Sequence, residues 1–488
     1  MIARWAAAVS LVVALTASGV LTPQQERGKQ LYLTGESTAK RPVTALLGAD
    51  AVEVAASVVP CANCHGRDGR GRVEGGVRPP NLQWDVLTRV LTTDDRSRPA
   101  YTRSQVKRAI TMGLDSGAKP LESTMPRYRM ALEDIEDLLA YLEVLSSDRD
   151  PGLTDEAIRI GAVLPAGTEE QRAVRATLEK YFERVNRDGG IFGRRIDPRF
   201  TSTSGTPEQR AAALASFIES EQPFAIGAAW LSGADLAMSA IAEKARVPTI
   251  AAFSADAPPD DRVVFRLLAG TREQSLALVA AAKPDPNARI AIIADDATSS
   301  MASRIRDDLR TAKYTRVEIA TTIPAGTELV LFTGVPSALR AILEQAAAAP
   351  VPPHVLIPAA HSSGDVVSAP AALDGRILVA LPSSPDDITE EGAAELRALD
   401  VPATHATSCR LALAAARLTI DAIRRAGRDL DRDTLVSTLE TLYNAPTHLT
   451  PPITWSASQH TGTRKVRILA IDLREKRWAD RGWWTGPV

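Results

Sequence analysis

Residues 61 to 65 read Cys61-Ala62-Asn63-Cys64-His65. No other stretch constrains the chain as much. Two thiols three positions apart can each add to a vinyl group of a haem, and the histidine that follows then lies under the iron as an axial ligand. The chain has three cysteines, and two of them are here. Other uses of a CxxC pair fit less well. A zinc site needs a second Cys or His pair, yet the next histidine is His354 and the last cysteine is Cys409. A dithiol redox motif closes a βαβ pattern, and none is read around Cys61. The spacing therefore predicts one covalently attached haem c, with Cys61 and Cys64 as the thioether positions and His65 as an iron ligand.

The N-terminus agrees with that chemistry. Arg4 gives a positive start, and Ala6 to Leu15 form an apolar run too short to span a bilayer. Ala17-Ser18-Gly19 offers small residues for cleavage. Residues 1–19 are read as a cleaved signal peptide, and the mature protein as periplasmic with no membrane span. Cys409, left without a partner, is expected as a buried free thiol. The net charge of −2 gives no reason to expect nucleic acid or an anionic membrane as partner. A chain of 488 residues calls for two or three domains.

Residues 24–148 are read as the first domain. Helices are expected from Pro23 to Tyr32, near Ser104 to Met112, and from Leu132 to Leu145, the last with leucines at helical spacing and four acids near its start. Gly66 to Gly71 form a Gly-rich turn that lets the backbone pass close to a flat ring. Pro79-Pro80-Asn81-Leu82 follows, and Met125-Pro126 precedes the last helix. These pieces together resemble a class I monohaem cytochrome c, a small all-α domain. The resemblance implies Met125 as the second axial ligand. It implies that the carbonyl of Pro79 or Pro80 accepts the ring N–H of His65. Two other methionines stand near. Met112 falls within a helix and is read as core, and Met130 is read as packing ahead of the last helix. About two dozen extra residues, Thr34 to Pro60, depart from the family pattern, and a small hairpin is expected at 43–47 and 52–54. Arg67, Arg70, Arg72 and Arg78 cluster after the motif, either as a solvated loop or as a docking face for an acidic redox partner. With two axial ligands the resemblance implies one-electron transfer and no enzyme activity.

The polar, Pro- and Gly-broken stretch Ser146 to Gly152 reads as a join, with residues 149–154 as linker. From 155 to 488, strands and helices alternate, which predicts parallel sheets with helices on both faces and a split into two lobes. Asn186-Arg187-Asp188-Gly189-Gly190-Ile191-Phe192-Gly193-Arg194-Arg195-Ile196 is the most specific stretch. It resembles a turn of type I periplasmic binding proteins of the branched-chain amino acid class. In such folds a small molecule lies between the lobes, at strand carboxyl ends. Carried over by position, Ser232 with Gly233, and Phe253 with Ser254, fall in the two loops that hold a ligand carboxylate. Where the family often has an aromatic-Gly pair, this chain has Asp295-Asp296-Ala297. His361 is read as a surface residue or as facing the cleft.

The whole chain is thus expected to be multidomain: a cytochrome c domain followed by a two-lobed α/β domain. Its expected function is an exported electron carrier fused to a small-molecule-binding module. The alternatives are a receptor for an ABC permease with an accessory haem, and an electron-transfer or docking subunit of a periplasmic quinoprotein dehydrogenase. No Ser-His-Asp pattern, phosphate loop or dinucleotide fingerprint is read in the second half.

Overall fold

The computed structural model describes residues 21–71, 79–92, 97–202, 204–231, 233–253, 261–295 and 298–485. The signal segment 1–19, Arg72, Arg78, Ser232 and Ser254 lie outside the described residues. The chain divides into two compact units, one ending at Pro151 and the other starting at Gly152.

In the first unit, helix α1 (Pro23–Thr34) starts where Thr22 accepts from the Gln25 amide and the Gln25 side chain returns to the Thr22 amide. It ends at Gly35 in the left-handed region. Strands β1 (Thr44–Leu47) and β2 (Val52–Ala55) form the expected hairpin in the insertion. Helix α2 (Cys61–His65) carries the CxxCH motif. Short elements α3 (Trp84–Leu87), β3 (Leu91–Thr92) and β4 (Ser97–Arg98) lead to α4 (Arg103–Met112). Strand β5 (Arg127–Arg129) and helix α5 (Leu132–Leu142) close the unit. The sequence reading missed β5, which joins the insertion hairpin to make a three-stranded antiparallel sheet in the order β2-β1-β5.

Helices α1 and α5 cross closely, and Gly28 is the reason. A Cβ there would stand 2.0 Å from the Asp137 carbonyl oxygen. Arg27 lies one residue before it and forks onto the Asp137 carboxylate at 2.7 and 2.9 Å. One turn earlier on α5, Asp134 accepts two bonds from Arg41 and one from Ser37. Both carboxylates are buried, so the acids near the start of α5 do more than favour a helix dipole. The Arg41 guanidinium, against the opposing effect of burial, holds Asp134 below the usual carboxylate range.

The supposed join is partly structured. Asp148 accepts from Lys29 Nζ and from the Tyr141 hydroxyl, so it belongs to the first unit. Gly152 accepts from the Arg159 amide, and Leu153 is buried in the second unit's core.

The second unit opens with β6 (Ala157–Leu164), α6 (Thr168–Arg187), β7 (Arg195–Ser202), α7 (Pro207–Glu221), β8 (Ala225–Trp230), α8 (Asp235–Ala245), β9 (Thr249–Phe253) and β10 (Val264–Arg266). These strands form one parallel sheet in the order β10-β9-β8-β6-β7. The Asn186 to Ile196 stretch is the α6–β7 connection. Asn186 clamps the Ile196 backbone with both ends of its amide, and Gly189, Gly190 and Gly193 all have positive φ. Its residues specify a turn.

The chain then crosses to α9 (Thr271–Ala282), β11 (Ile290–Ile293), α10 (Ser299–Thr311), β12 (Val317–Ala320), β13 (Leu329–Phe332), α11 (Leu339–Ala347), β14 (His354–Pro358) and β15 (Ile377–Leu381). Helices α12 (Glu390–Ala398), α13 (Ala406–Ala426) and α14 (Arg432–Leu439) follow. Leu413, Ile420 and Cys409 of α13 pack into the core of the first lobe, so the chain returns there before ending. Strands β16 (Val466–Asp472) and β17 (Arg477–Trp484) then extend the second sheet, order β12-β11-β13-β14-β15-β16-β17, with its last two strands antiparallel. The return crossing is pinned where Trp455 Nε1 and the Gly462 amide both donate to the Arg266 carbonyl. Among the described residues no helix is long and apolar enough to cross a membrane.

Candidate functional site

The first unit encloses a cavity of about 470 Å³. Cys61, Cys64, His65 and Met125 all line it, with an otherwise largely apolar wall that includes Leu87, Val106, Ile110 and Leu138. Helix α2 brings the first three together. Its short length and the turn at Gly66 are held by the Tyr32 hydroxyl, which donates to the Gly66 carbonyl at 2.6 Å.

His65 is buried, and its Nδ1 lies 2.9 Å from the Pro80 carbonyl oxygen. Of the two prolines named from sequence, Pro80 makes this contact, while Pro79 lines the cavity. The Nδ1–H donates there, which leaves Nε2 as the unprotonated nitrogen of a neutral ring. Burial pushes the His65 imidazole below its ordinary value, in the same sense. The two thiols are not joined to each other. Burial pushes the Cys61 thiol up to about 11. Two thiols, a neutral imidazole with one nitrogen free, a thioether and an apolar pocket of this volume fit a haem c.

The Gly-rich turn after the motif is crowded by the chain itself. A Cβ at Gly69 would meet Leu145, and one at Gly71 would meet the Pro79 carbonyl at 2.2 Å. These glycines let the chain pack on its own neighbours, and both have positive φ. Met112 is exposed at 64%, which corrects its reading as core: it ends α4 on the solvent side. Met130 packs beside the core but is not among the cavity-lining residues. Arg70 pairs with Asp68 at 3.4 Å.

Sequence reasoning missed Arg127 and Tyr128. The Tyr128 hydroxyl donates to the Val59 carbonyl at 2.5 Å, two residues before Cys61. The Arg127 guanidinium donates to the carbonyls of Leu121, Glu122 and Met125. The strand they sit on is only three residues long and pairs far away in sequence, so no periodic signal marked it.

In the second unit, the carboxyl ends of β8 and β9 carry Trp230 and Phe253, whose ring centres are 4.3 Å apart. Trp230, the last residue of β8, was not singled out from the sequence. Gly233 has φ +88, and its amide donates to Asp235 Oδ2 at 2.9 Å. That amide is therefore taken up by the first residue of α8 in this structure. On the second sheet, Asp295 accepts from the Thr298 and Val335 amides at 3.0 and 3.1 Å. His361 is buried, with Nδ1 on the Gly334 carbonyl and Nε2 on the Thr271 hydroxyl. The surface reading of His361 is thus corrected: both its nitrogens join elements of the second lobe. Cys409 is a buried free thiol.

Residues 157–477 match the periplasmic binding protein family, and residues 50–146 match cytochrome c. Among solved structures, the chain is similar to a branched-chain amino acid ABC transporter from Thermus thermophilus with bound valine. That similarity has 16% identity over 69% of this chain and 98% of that one, with a TM-score of 0.53. A fatty acid ABC transporter substrate-binding protein from Thermomonospora curvata gives 15% identity, 70% and 95% coverage, and 0.53. A leucine-binding protein from Thermotoga maritima gives 17%, 67% and 99%, and 0.51. At such identities the likeness shows the fold. No curated protein matches the chain.

Proposed function

The chain belongs to the periplasmic binding protein family and carries a cytochrome c domain ahead of the binding lobes, and from that premise we propose that it is an exported one-electron carrier whose second unit captures a small carboxylate. The single observation that carries the first half is the common cavity of Cys61, Cys64, His65 and Met125. In this reading Cys61 and Cys64 hold one haem c by thioether bonds, and His65 and Met125 are its axial ligands. Bound there, haem supplies a one-electron couple. The protein's own part is orientation and exclusion. Pro80 fixes the His65 ring and its tautomer. The apolar wall keeps water from the pocket, and a thioether ligand favours the reduced state. Two protein ligands leave no open coordination position, which is why we read a carrier and not an enzyme.

The second half rests on the fold and on strand carboxyl ends, where helix N-termini aim N–H groups at anions. The valine, fatty acid and leucine named for the similar structures all bear a carboxylate. The redox partner is a periplasmic protein, and a permease or a quinoprotein dehydrogenase is the natural neighbour of each half.

The test is a pyridine haemochrome spectrum after acid-acetone extraction. Haem that stays with the chain and shows the c-type spectrum supports the reading, and extractable haem overturns it. Met125→Ala should abolish the weak sulfur-to-iron band of the oxidised protein, while Met112→Ala and Met130→Ala keep it. A carboxylate library scored by thermal shift on oxidised and reduced protein tests the second unit. A permease-type receptor binds equally in both states.

A further inference from the structure

The geometry points to the Thr34–Pro60 insertion and Arg127 as one fastener for the Met125 loop, which holds the thioether in place against competing ligands. This rests on the reading of Met125 as an axial ligand. The residues just before Met125 have little regular structure, and the Met125 amide bonds back to the Glu122 carbonyl at 3.1 Å. A loop of that kind samples many conformations unless something outside it fixes its ends.

Three attachments fix it. The first is the Arg127 guanidinium, which donates to the carbonyls of Leu121, Glu122 and Met125, at 2.8 Å for Leu121. A planar fork of five charged donors can gather several carbonyls at once in a fixed geometry, which the three donors of a lysine ammonium on its flexible stem do not reproduce. The second is the sheet. Strand β5 pairs with β1 of the insertion, Arg127 facing Leu46 and Tyr128 facing Ala45, so the loop's C-terminal end is a strand in a ladder. Outside the ladder, Arg129 reaches Glu53 of β2 at 3.3 Å. The third is the Tyr128 hydroxyl on Val59, which ties the same strand to the chain just ahead of Cys61.

Gly113 shows that the arrangement is specific. It caps α4 with φ +67, and a Cβ there would lie 1.6 Å from Arg127 Nε. Its carbonyl also accepts from the Leu121 amide at 2.8 Å, the first residue of the loop. Arg127 thus lies directly on the helix end, in space that only a glycine leaves. The insertion, which departs from the usual pattern of such domains, then has a mechanical purpose: it supplies the strand on which this fastener is built.

The experiment titrates imidazole into the ferric, haem-loaded full chain and follows the sulfur-to-iron band. Imidazole binds only when the thioether leaves, so its affinity reports how firmly the loop is held. Losing several charge-assisted bonds to one loop predicts that Arg127→Ala raises imidazole affinity by about tenfold or more. Arg127→Lys should fall between it and wild type. Gly113→Ala, which displaces the guanidinium without removing it, should act in the same direction. Arg89→Ala, an exposed residue whose side chain pairs with Asp85, should leave the affinity unchanged. Unchanged affinity in Arg127→Ala, or in Arg127→Lys and Gly113→Ala should the alanine variant not fold, overturns the fastener. Met125→Ala separates the two ideas: if it keeps the band, the axial assignment has failed. If it loses the band while the Arg127 variants match wild type, the fastener alone has failed.

Discussion

In the first unit, three of the four residues that would hold haem lie within one five-residue helix, Cys61–His65, and only Met125 comes from elsewhere. In the second unit, Trp230 and Phe253 end β8 and β9 of one sheet, and Asp295 lies two residues past β11 of the other. The first arrangement fixes its chemistry by covalent neighbours, so a sequence spells it out. A ligand site in the second would be set by topology, and its residues would come together only once the sheets are assembled. Both units bury carboxylates against arginine. The first sinks two carboxylates of one helix, each forked by an arginine from outside that helix. The second does the same with Arg266 and Asp261, 2.6 Å apart with both side chains buried, while its His361 spends both ring nitrogens on neutral partners.

The largest effect belongs to the contiguous site. Cys61→Ala combined with Cys64→Ala should abolish covalent haem, read as haem lost entirely on extraction, while ligand-induced thermal shifts of the second unit persist. Each unit has a hydrophobic core of its own, which is the basis for expecting the second to remain folded. Disappearance of those shifts would break the comparison, since the distributed site would then depend on the contiguous one.

Acid should separate the units next. Asp134 is held below the usual carboxylate range, chiefly by Arg41. A depressed folded-state value contributes stability that is present above the unfolded value of about 3.9 and is lost as pH falls through the folded one. Asp134→Asn should therefore lower the first unit's thermal midpoint at pH 7, and the gap to wild type should narrow below about pH 4. A constant gap from pH 7 to pH 2 would mean that the carboxylate's charge is not what matters there.

Gly28→Ala probes the helix crossing that supports α2 through Tyr32. Its Cβ would strike the Asp137 backbone, and backbone cannot step aside as a flexible side chain can. Overpacking of this kind costs about 1–3 kcal/mol, measured by denaturant unfolding followed at the haem. A neutral result would show that α1 and α5 can move apart, and that the crevice is less rigid than its motif suggests.

Much of this was legible in the sequence, for reasons that differ by element. Helix α4 and the insertion hairpin lie close to where they are expected, at Arg103–Met112, Thr44–Leu47 and Val52–Ala55, because their signals are local in sequence. The CxxCH site was legible because its spacing is its chemistry. Strand β5 was not, since three residues reading Arg-Tyr-Arg carry no alternation and find their partner in an insertion some eighty positions earlier. The pairing of Arg127 with the Met125 loop was hidden for the same reason. Gly69 and Gly71 were legible as special glycines, but what crowds them, Leu145 and Pro79, is a tertiary fact. Ser232 and Ser254 are read only from position in a family pattern, and both lie outside the described residues.

The smallest expected effect tests whether the distributed site is a site at all. Trp230 and Phe253 end adjacent parallel strands with their rings 4.3 Å apart, both half-buried against the first lobe's core. Two aromatic side chains at strand carboxyl ends could simply close the sheet, or they could form the apolar wall beside a bound carboxylate. The two roles separate on substitution. Trp230→Phe keeps an aromatic face for either role. Trp230→Ala removes a ring whose contacts with an apolar ligand group are worth about 0.5–1.5 kcal/mol beyond simple burial, so affinity for a cleft ligand should fall by up to about tenfold. The haem spectrum and the first unit's midpoint should not change. Calorimetric titration of the wild type and both variants with the best carboxylate from the library decides between the roles. Equal affinities, with a lowered midpoint for Trp230→Ala alone, would assign the pair to packing and leave ligand affinity to groups at the other strand ends.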